Sequence, residues 1–257
     1  LLEAVYTQYQ GDRTSPDFQA FLTYLRRVWF ANGIHHHYGC DKFTPEFSEA
    51  WLRNVLAQID YPIDDQLITG RFDPTIMAKR VNQTTDEDLL QTSACNYYAP
   101  EITQQMAEDY YNSIVDASDP EPIMYGLNSR LEVQNSQIIE SVYRVGGLYG
   151  TAISKICYWL QLAIQEAEND SQREVLRTLI EFYHTGDLHT FDRYTIQWLQ
   201  CTAGDIDFTN GFTEVYGDPL GIKASWEGFV NFRDNKASER TLRLSENAQW
   251  FEDHSPV

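Results

Sequence analysis

Glu214 and Tyr216 stand two residues apart in a run from Ile206 to Tyr216 whose apolar residues recur with a period close to 2. In an extended strand such side chains leave the same face about 6.6 Å apart. The same alternation puts Ile206, Phe208, Asn210 and Phe212 on that face. A carboxylate among apolar neighbours is costly unless a cation compensates it. Two partners could do so: a buried Lys or Arg, which makes the pair structural, or the ammonium group of a ligand, which makes it functional. Asp218-Pro219-Leu220-Gly221 then reads as a tight turn that ends the strand.

Other chemistry-bearing residues are less well spaced. His35-His36-His37 offers three imidazoles, the commonest metal ligands, but consecutive residues diverge by about 100° on a helix and alternate on a strand. A polar loop or substrate-side histidines fit that spacing better than a metal site does. His184 and His189 flank the turn Thr185-Gly186-Asp187-Leu188 and read as helix-end residues. Gly146-Gly147-Leu148-Tyr149-Gly150 opens a helix, and close packing explains it better than an anion cradle, since no P-loop lysine follows. No G-x-S-x-G motif marks a serine nucleophile. Cys40, Cys95, Cys157 and Cys201 are scattered without a C-x-x-C pair and read as free thiols.

The elements that must position these residues are mostly helical. Ser15-Pro16-Asp17 supplies a cap, a proline at the first helical position and an acid in the first turn. Phe18, Phe21, Leu22, Leu25, Val28 and Trp29 follow at helical spacing until Asn32-Gly33. Thr44-Pro45-Glu46 predicts a second helix with Phe47, Trp51, Val55, Leu56 and Ile59 inward. Pro62, Gly70 and Pro74 break the stretch from Tyr61 to Thr85 into short pieces. A further helix is predicted from Pro100 to Val115, then a stiff acidic connector, Asp119-Pro120-Glu121-Pro122. One helix carries Ile153, Ile156, Cys157, Leu160, Ile164 and Ala167 and ends near Asn169; another carries Val175, Leu176, Leu179, Ile180 and Tyr183. After the extended run, a second extended piece spans Phe229 to Arg233, followed by a helix containing Leu242 and Ala248. The expected fold is α+β, mostly helical with a small β-sheet or barrel. Residues 1–123 form a helical region, and 124–257 a helix-plus-sheet region that carries the strand.

Composition narrows the function classes. The 257 residues are 42% apolar and 14% aromatic, too rich for a disordered chain. A formal net charge of −19 repels phosphate backbones and anionic lipid, so neither nucleic acid nor membrane is an expected partner. No stretch reaches the roughly 20 apolar residues of a spanning helix, and Leu1 to Gln10 lack a signal-peptide pattern, so a cytoplasmic location is expected. The sequence starts at Leu1 without a Met and stops at Val257 inside an acidic, aromatic stretch, which predicts a piece of something longer.

The run from Asn210 to Gly221, NGFTEVYGDPLG, resembles the peptide-binding strand of the dipeptidyl peptidase III family. The resemblance continues through Gly126-Leu127-Asn128-Ser129, Val145 to Gly150, Tyr158-Trp159-Leu160, Tyr183 to Leu188, Trp226-Glu227 and Trp250 to Pro256. It covers Met124 to Val257, and the segment Asn32 to Pro45 resembles the family's bacterial branch. Members are zinc exopeptidases that release dipeptides from the N-termini of short peptides in the cleft of a two-lobed structure. The resemblance therefore implies a hydrolase lobe in which Glu214 holds the substrate ammonium. It further implies that Tyr216 acts on the scissile carbonyl as a catalytic residue and that Asn210 contributes to substrate binding. The family's zinc helices, H-E-x-x-G-H and an E-E-C-R-A-like stretch, are absent from this sequence. Zinc is thus expected in the full-length enzyme and none on this chain. The remaining C-terminal part of the same enzyme is an expected partner, and the chain alone is expected to be inactive. The rival expectation is a non-catalytic peptide-binding or interaction module.

Overall fold

The computed structural model describes residues 1–256 and is α+β, with the chain contacts dividing it into two units. The first comprises Leu1–Ile114, Arg130–Ile139 and Tyr216–Lys223; the second comprises Val115–Ser129, Glu140–Val215 and the described residues from Ala224 onward.

The first unit contains α1 (Leu2–Gln8), α2 (Pro16–Ala31), α3 (Glu49–Gln58), α4 (Asp65–Phe72) and α5 (Gln104–Ile114). The side chain of Ser15 accepts a hydrogen bond from the Phe18 N–H, Pro16 opens α2, and Asn32 closes it in the left-handed conformation at φ 53°. The expected opening of the next helix at Thr44-Pro45-Glu46 is corrected: α3 starts at Glu49, with Ser48 as its cap. Phe47 explains the delay, because it is buried before the helix begins, 5.7 Å from the Phe21 ring and 5.6 Å from that of Trp51. The Ser48 N–H also donates to Asp17 Oδ1 at 2.9 Å, tying the start of α3 to that of α2. Val5, Phe18, Phe21, Leu25, Leu52, Leu56 and Ile68 fill the core of this unit, each worth about 1.5–3 kcal/mol of burial.

Helix α5 likewise begins at Gln104 rather than Pro100. The Thr103 hydroxyl accepts from the Met106 N–H, and the Asp88 carboxylate accepts from the Gln104 N–H. Strands β1 (Ser129–Gln134) and β2 (Gln137–Val142) form a hairpin that the sequence reading assigned to no element. It turns at Asn135 and Ser136, with φ of 51° and 61°, in the two-residue geometry that suits strand twist.

The second unit holds α6 (Gly150–Glu166), α7 (Asp170–Thr185) and α8 (Leu188–Gln200), then β3 (Ile206–Glu214), β4 (Ser225–Phe232), α9 (Asn235–Glu246) and α10 (Ala248–His254). Helix α6 stops before Asn169, whose side chain instead accepts from the Gln172 N–H and caps α7. Gly186 at φ 73° ends α7, and Asp187 caps α8 through the His189 and Thr190 N–H groups. The apolar faces of α6 and α7 read from the sequence meet as Ile153, Cys157, Leu160, Val175, Leu176, Leu179 and Tyr183, joined by Phe182, Phe191 and Phe212. Strands β3 and β4 pair antiparallel, with Asn210 opposite Gly228 and Phe212 opposite Trp226. Helices α9 and α10 contain no buried residue. Among the described residues no helix is long and apolar enough to cross a membrane.

The helix-start correction is directly testable. Ser48→Ala should lower stability by about 1 kcal/mol through loss of the cap. Thr44→Ala, at an exposed position, should stay within about 0.5 kcal/mol of wild type. Urea unfolding followed by circular dichroism measures both, and the reverse order would restore the earlier start.

Candidate functional site

Strand β3 is pinned at its start by the link between α6 and α7 and by the first turn of α7. The Glu168 carboxylate accepts from the Asp205 and Ile206 N–H groups, and Gln172 Nε2 donates to the Ile206 carbonyl at 3.1 Å. At mid-strand, Trp226 Nε1–H donates to the Tyr183 hydroxyl at 2.8 Å, and that hydroxyl donates to Asn210 Oδ1 at 2.5 Å. Burial raises the Tyr183 pKa and the Trp226 hydrogen bond offsets it only in part, so the phenol keeps the proton it donates. Asn210 therefore has its side-chain oxygen held by the core. Its amide nitrogen lies toward Gly228, where a Cβ would sit 3.3 Å from Nδ2. Asn210 also lines an apolar cleft of about 360 Å³ with Leu160, Phe208, Trp226 and Val230.

The register then shifts. Phe212 is opposite Trp226, but Glu214, two residues later, is opposite Ser225, one residue earlier, so β3 carries a bulge at Thr213. Paired residues share a face. Phe212 and Trp226 thus lie on one face, while Glu214 falls with Ser225 and Glu227 on the other. The single face expected for Phe212 and Glu214 is corrected by this extra residue, and the strand ends before Tyr216. The bulge removes the carboxylate from apolar surroundings in which it would need a buried cation. The Thr213 hydroxyl donates to Glu227 Oε1 at 2.7 Å across the bulge, and Ser225 Oγ donates to the Glu214 carbonyl at 3.2 Å. Gly211 precedes the bulge at a close approach, since a Cβ there would meet the Phe191 ring at 2.7 Å. Glu214 is half-buried, and among the described residues no Lys, Arg or His forms an ion pair with it.

The division between units falls after Val215, so Tyr216 belongs with the first unit. Its side chain is 55% exposed. The Arg80 guanidinium lies over its ring at 5.8 Å from the centroid, and the His37 ring meets it edge-on at 6.2 Å. Arg80 Nη2 donates to the His37 carbonyl at 3.0 Å, which joins these two neighbours of the phenol. Sequence reasoning named His37 only as part of a histidine cluster and missed Arg80, which sits at the end of the Pro- and Gly-broken stretch that carries little periodicity.

The other two histidines are engaged by the backbone. His35 Nε2–H donates to the Met77 carbonyl at 2.8 Å, and burial lowers the pKa of this ring. His36 Nδ1 accepts from the Gly39 N–H at 2.9 Å. Gly147 is a packing glycine, because a Cβ would lie 2.5 Å from the Val142 carbonyl oxygen. Among the described residues no group of three or more His, Cys, Asp or Glu side chains is placed to hold a metal ion. The described residues therefore do not fit the zinc that the family resemblance implies.

Comparison with known proteins identifies the class. The sequence profile of peptidase family M49 matches residues 54–256, and the chain belongs to that family. It is 22% identical over 252 residues to dipeptidyl peptidase 3 of Dictyostelium discoideum, covering 91% of this chain and 36% of that protein. It is 22% identical over 272 residues to human dipeptidyl peptidase 3, covering 92% of this chain and again 36% of the relative. The chain thus spans a little over a third of the length of these relatives. Among solved structures, DPP III from Caldithrix abyssi matches 99% of this chain and 48% of that chain, with a TM-score of 0.49 and 17% identity.

Cys95, in the first unit, feels the charge of Asp218. Burial, and then the charge of Asp218, push its thiol up to about 11. Because the thiolate is the reactive species, alkylation of Cys95 by iodoacetamide should rise about tenfold per pH unit between pH 8 and pH 10. Peptide mass mapping measures it, and a rate that levels off below pH 9 would contradict the shift.

Proposed function

We propose that this chain is the substrate-binding part of a metallopeptidase that releases dipeptides from the N-termini of short peptides. The observation that carries the reading is Glu214, a half-buried carboxylate turned off the apolar face of β3 by a bulge and left without a cation among the described residues. A carboxylate with no ion pair to break is free to take a peptide's ammonium group as its partner. A carboxylate that fixes the amine also measures the distance from it to the bond to be cut, which selects dipeptide release. Tyr216 donates its hydroxyl to the oxygen of the scissile carbonyl as negative charge develops there, a contribution that grows in a water-poor cleft.

Among the described residues strand β3 has one hydrogen-bonded strand neighbour, β4, so its second edge offers backbone groups to an extended peptide in the manner of an added strand. Asn210, lining the apolar cleft, flanks the path of such a peptide. Catalytic zinc and the residues that ligate it come from the rest of the enzyme.

The test is Glu214→Gln in the complete peptidase. The amide keeps shape and hydrogen bonding but removes the charge that compensates a desolvated ammonium. Losing one partner of such a pair costs about 2–5 kcal/mol, so kcat/KM for a dipeptidyl-arylamide should fall roughly 30-fold or more. The thermal midpoint should change little, because Glu214 makes no ion pair among the described residues. N-acetylated substrate should be poor for both proteins. Unchanged activity, or loss that tracks unfolding, would make Glu214 structural and place the amine elsewhere.

A further inference from the structure

Two residues beyond Tyr216, the Asp218 side chain is 3% exposed and accepts four hydrogen bonds. Its Oδ2 receives the Tyr98 hydroxyl at 2.8 Å, the Ile222 N–H at 2.9 Å and the Lys223 N–H at 2.7 Å, and its Oδ1 receives the Leu220 N–H at 3.1 Å. The Gly221 N–H closes the turn on the Asp218 carbonyl at 3.0 Å, with Gly221 at φ 67°. Lys223, fully buried, hydrogen-bonds the Tyr111 hydroxyl, and its ammonium lies 4.8 Å from the Tyr111 ring centroid and 5.9 Å from that of Tyr98. Gln83 Nε2 donates to the Pro219 carbonyl at 2.9 Å. Burial, and then the charge of Asp218, raise the Tyr98 pKa, so this phenol remains a donor. The segment that begins with Tyr216 is therefore wound around one buried carboxyl group. Two of its outside anchors, Tyr98 and Tyr111, are core residues of the same unit.

Removing an aspartate and a lysine from water is expensive, and an apolar turn would cost less. What a fully satisfied buried network provides is one rigid arrangement. The group that benefits lies two residues earlier in the chain. Tyr216 is more than half exposed, and beyond the ring contacts of Arg80 and His37 its aim depends on the backbone that carries it.

We propose that Asp218 is a positioning residue for Tyr216: by gathering the Tyr98 hydroxyl and the N–H groups of Leu220, Ile222 and Lys223, it fixes the backbone that directs the Tyr216 hydroxyl at the scissile carbonyl. This rests on the assignment of Tyr216 to that carbonyl. Asp218→Asn is the sharp variant. Both carboxyl oxygens accept N–H groups, so an amide must turn its own NH2 toward at least one of them.

A double-mutant cycle with Tyr216→Phe in the complete peptidase separates positioning from general support of the fold, with kcat and KM measured beside the thermal midpoint. A misdirected catalytic group should cost about 10–100-fold in kcat with KM changed less than about threefold. In the Tyr216→Phe background Asp218→Asn should cost less than about twofold further, because the hydroxyl it aims is already gone. Equal fold losses in both backgrounds, with Tyr216→Phe itself impaired, would overturn the positioning role and leave the role of Tyr216 standing. Full activity in Tyr216→Phe would remove the assignment of Tyr216, and this proposal with it. If Asp218→Asn does not fold, Tyr98→Phe, which deletes one donor and keeps the three backbone N–H groups, runs the same cycle and decides the question by the same criteria.

Discussion

A charge must not be left among apolar side chains without compensation, and that constraint shapes both ends of the segment from Phe212 to Lys223. In β3 the constraint is met by an extra residue. Phe212 packs against Tyr143, Phe182 and Tyr183, and had the strand continued in register the Glu214 carboxylate would have followed it to that face. The bulge at Thr213 moves it to the face of Ser225 and Glu227 instead. Four residues later the opposite solution is used. Asp218 stays buried, and the fold brings it four hydrogen-bond donors. Among the described residues one acid is left free of ion pairs and the other is locked.

This contrast separates two kinds of work. A carboxylate that must receive a ligand's ammonium cannot already be paired, since a native salt bridge would have to be broken each time the ligand binds. A carboxylate that holds a loop must be saturated, since a half-satisfied buried network loses both stability and definition. Tyr216 lies between the two in the chain, with Arg80 and His37 against its ring. Helix α7 and the link before it contribute at one remove: the Glu168 side chain in the link, and the Gln172 side chain and Tyr183 hydroxyl of α7, fix β3 at its first residue and at Asn210.

Much of this was legible where periodicity is long. The helix opened by Ser15-Pro16-Asp17 and the apolar faces of α6 and α7 follow from residue spacing, and the change of period near Gly204 marks β3. Short signals misled. Thr44-Pro45-Glu46 has the composition of a helix start, but burial of Phe47 outweighed it. The β1–β2 hairpin turns at Asn135-Ser136 without a glycine and went unread. The bulge was the largest omission for the site. One inserted residue leaves the alternation of Phe212 and Glu214 intact in the sequence while moving Glu214 off the Phe212 face in space, and Gly211 two residues before it was the available signal. Arg80 and the partners of Asp218 come from distant positions, Tyr98 and Tyr111 among them, and no local pattern could have brought them together.

The claim on which the functional reading rests is that the free face of β3 holds the amine of a peptide. A crystal structure of the complete peptidase, carrying Tyr216→Phe to slow turnover and bound to a short peptide with an unmodified N-terminus, tests it most directly. The account predicts the terminal nitrogen within about 3 Å of a Glu214 carboxylate oxygen, the distance of a charge-assisted hydrogen bond, with the peptide backbone paired along the open edge of β3. A terminal nitrogen held by other groups, with Glu214 facing only water or an Arg or Lys of the enzyme, would contradict it.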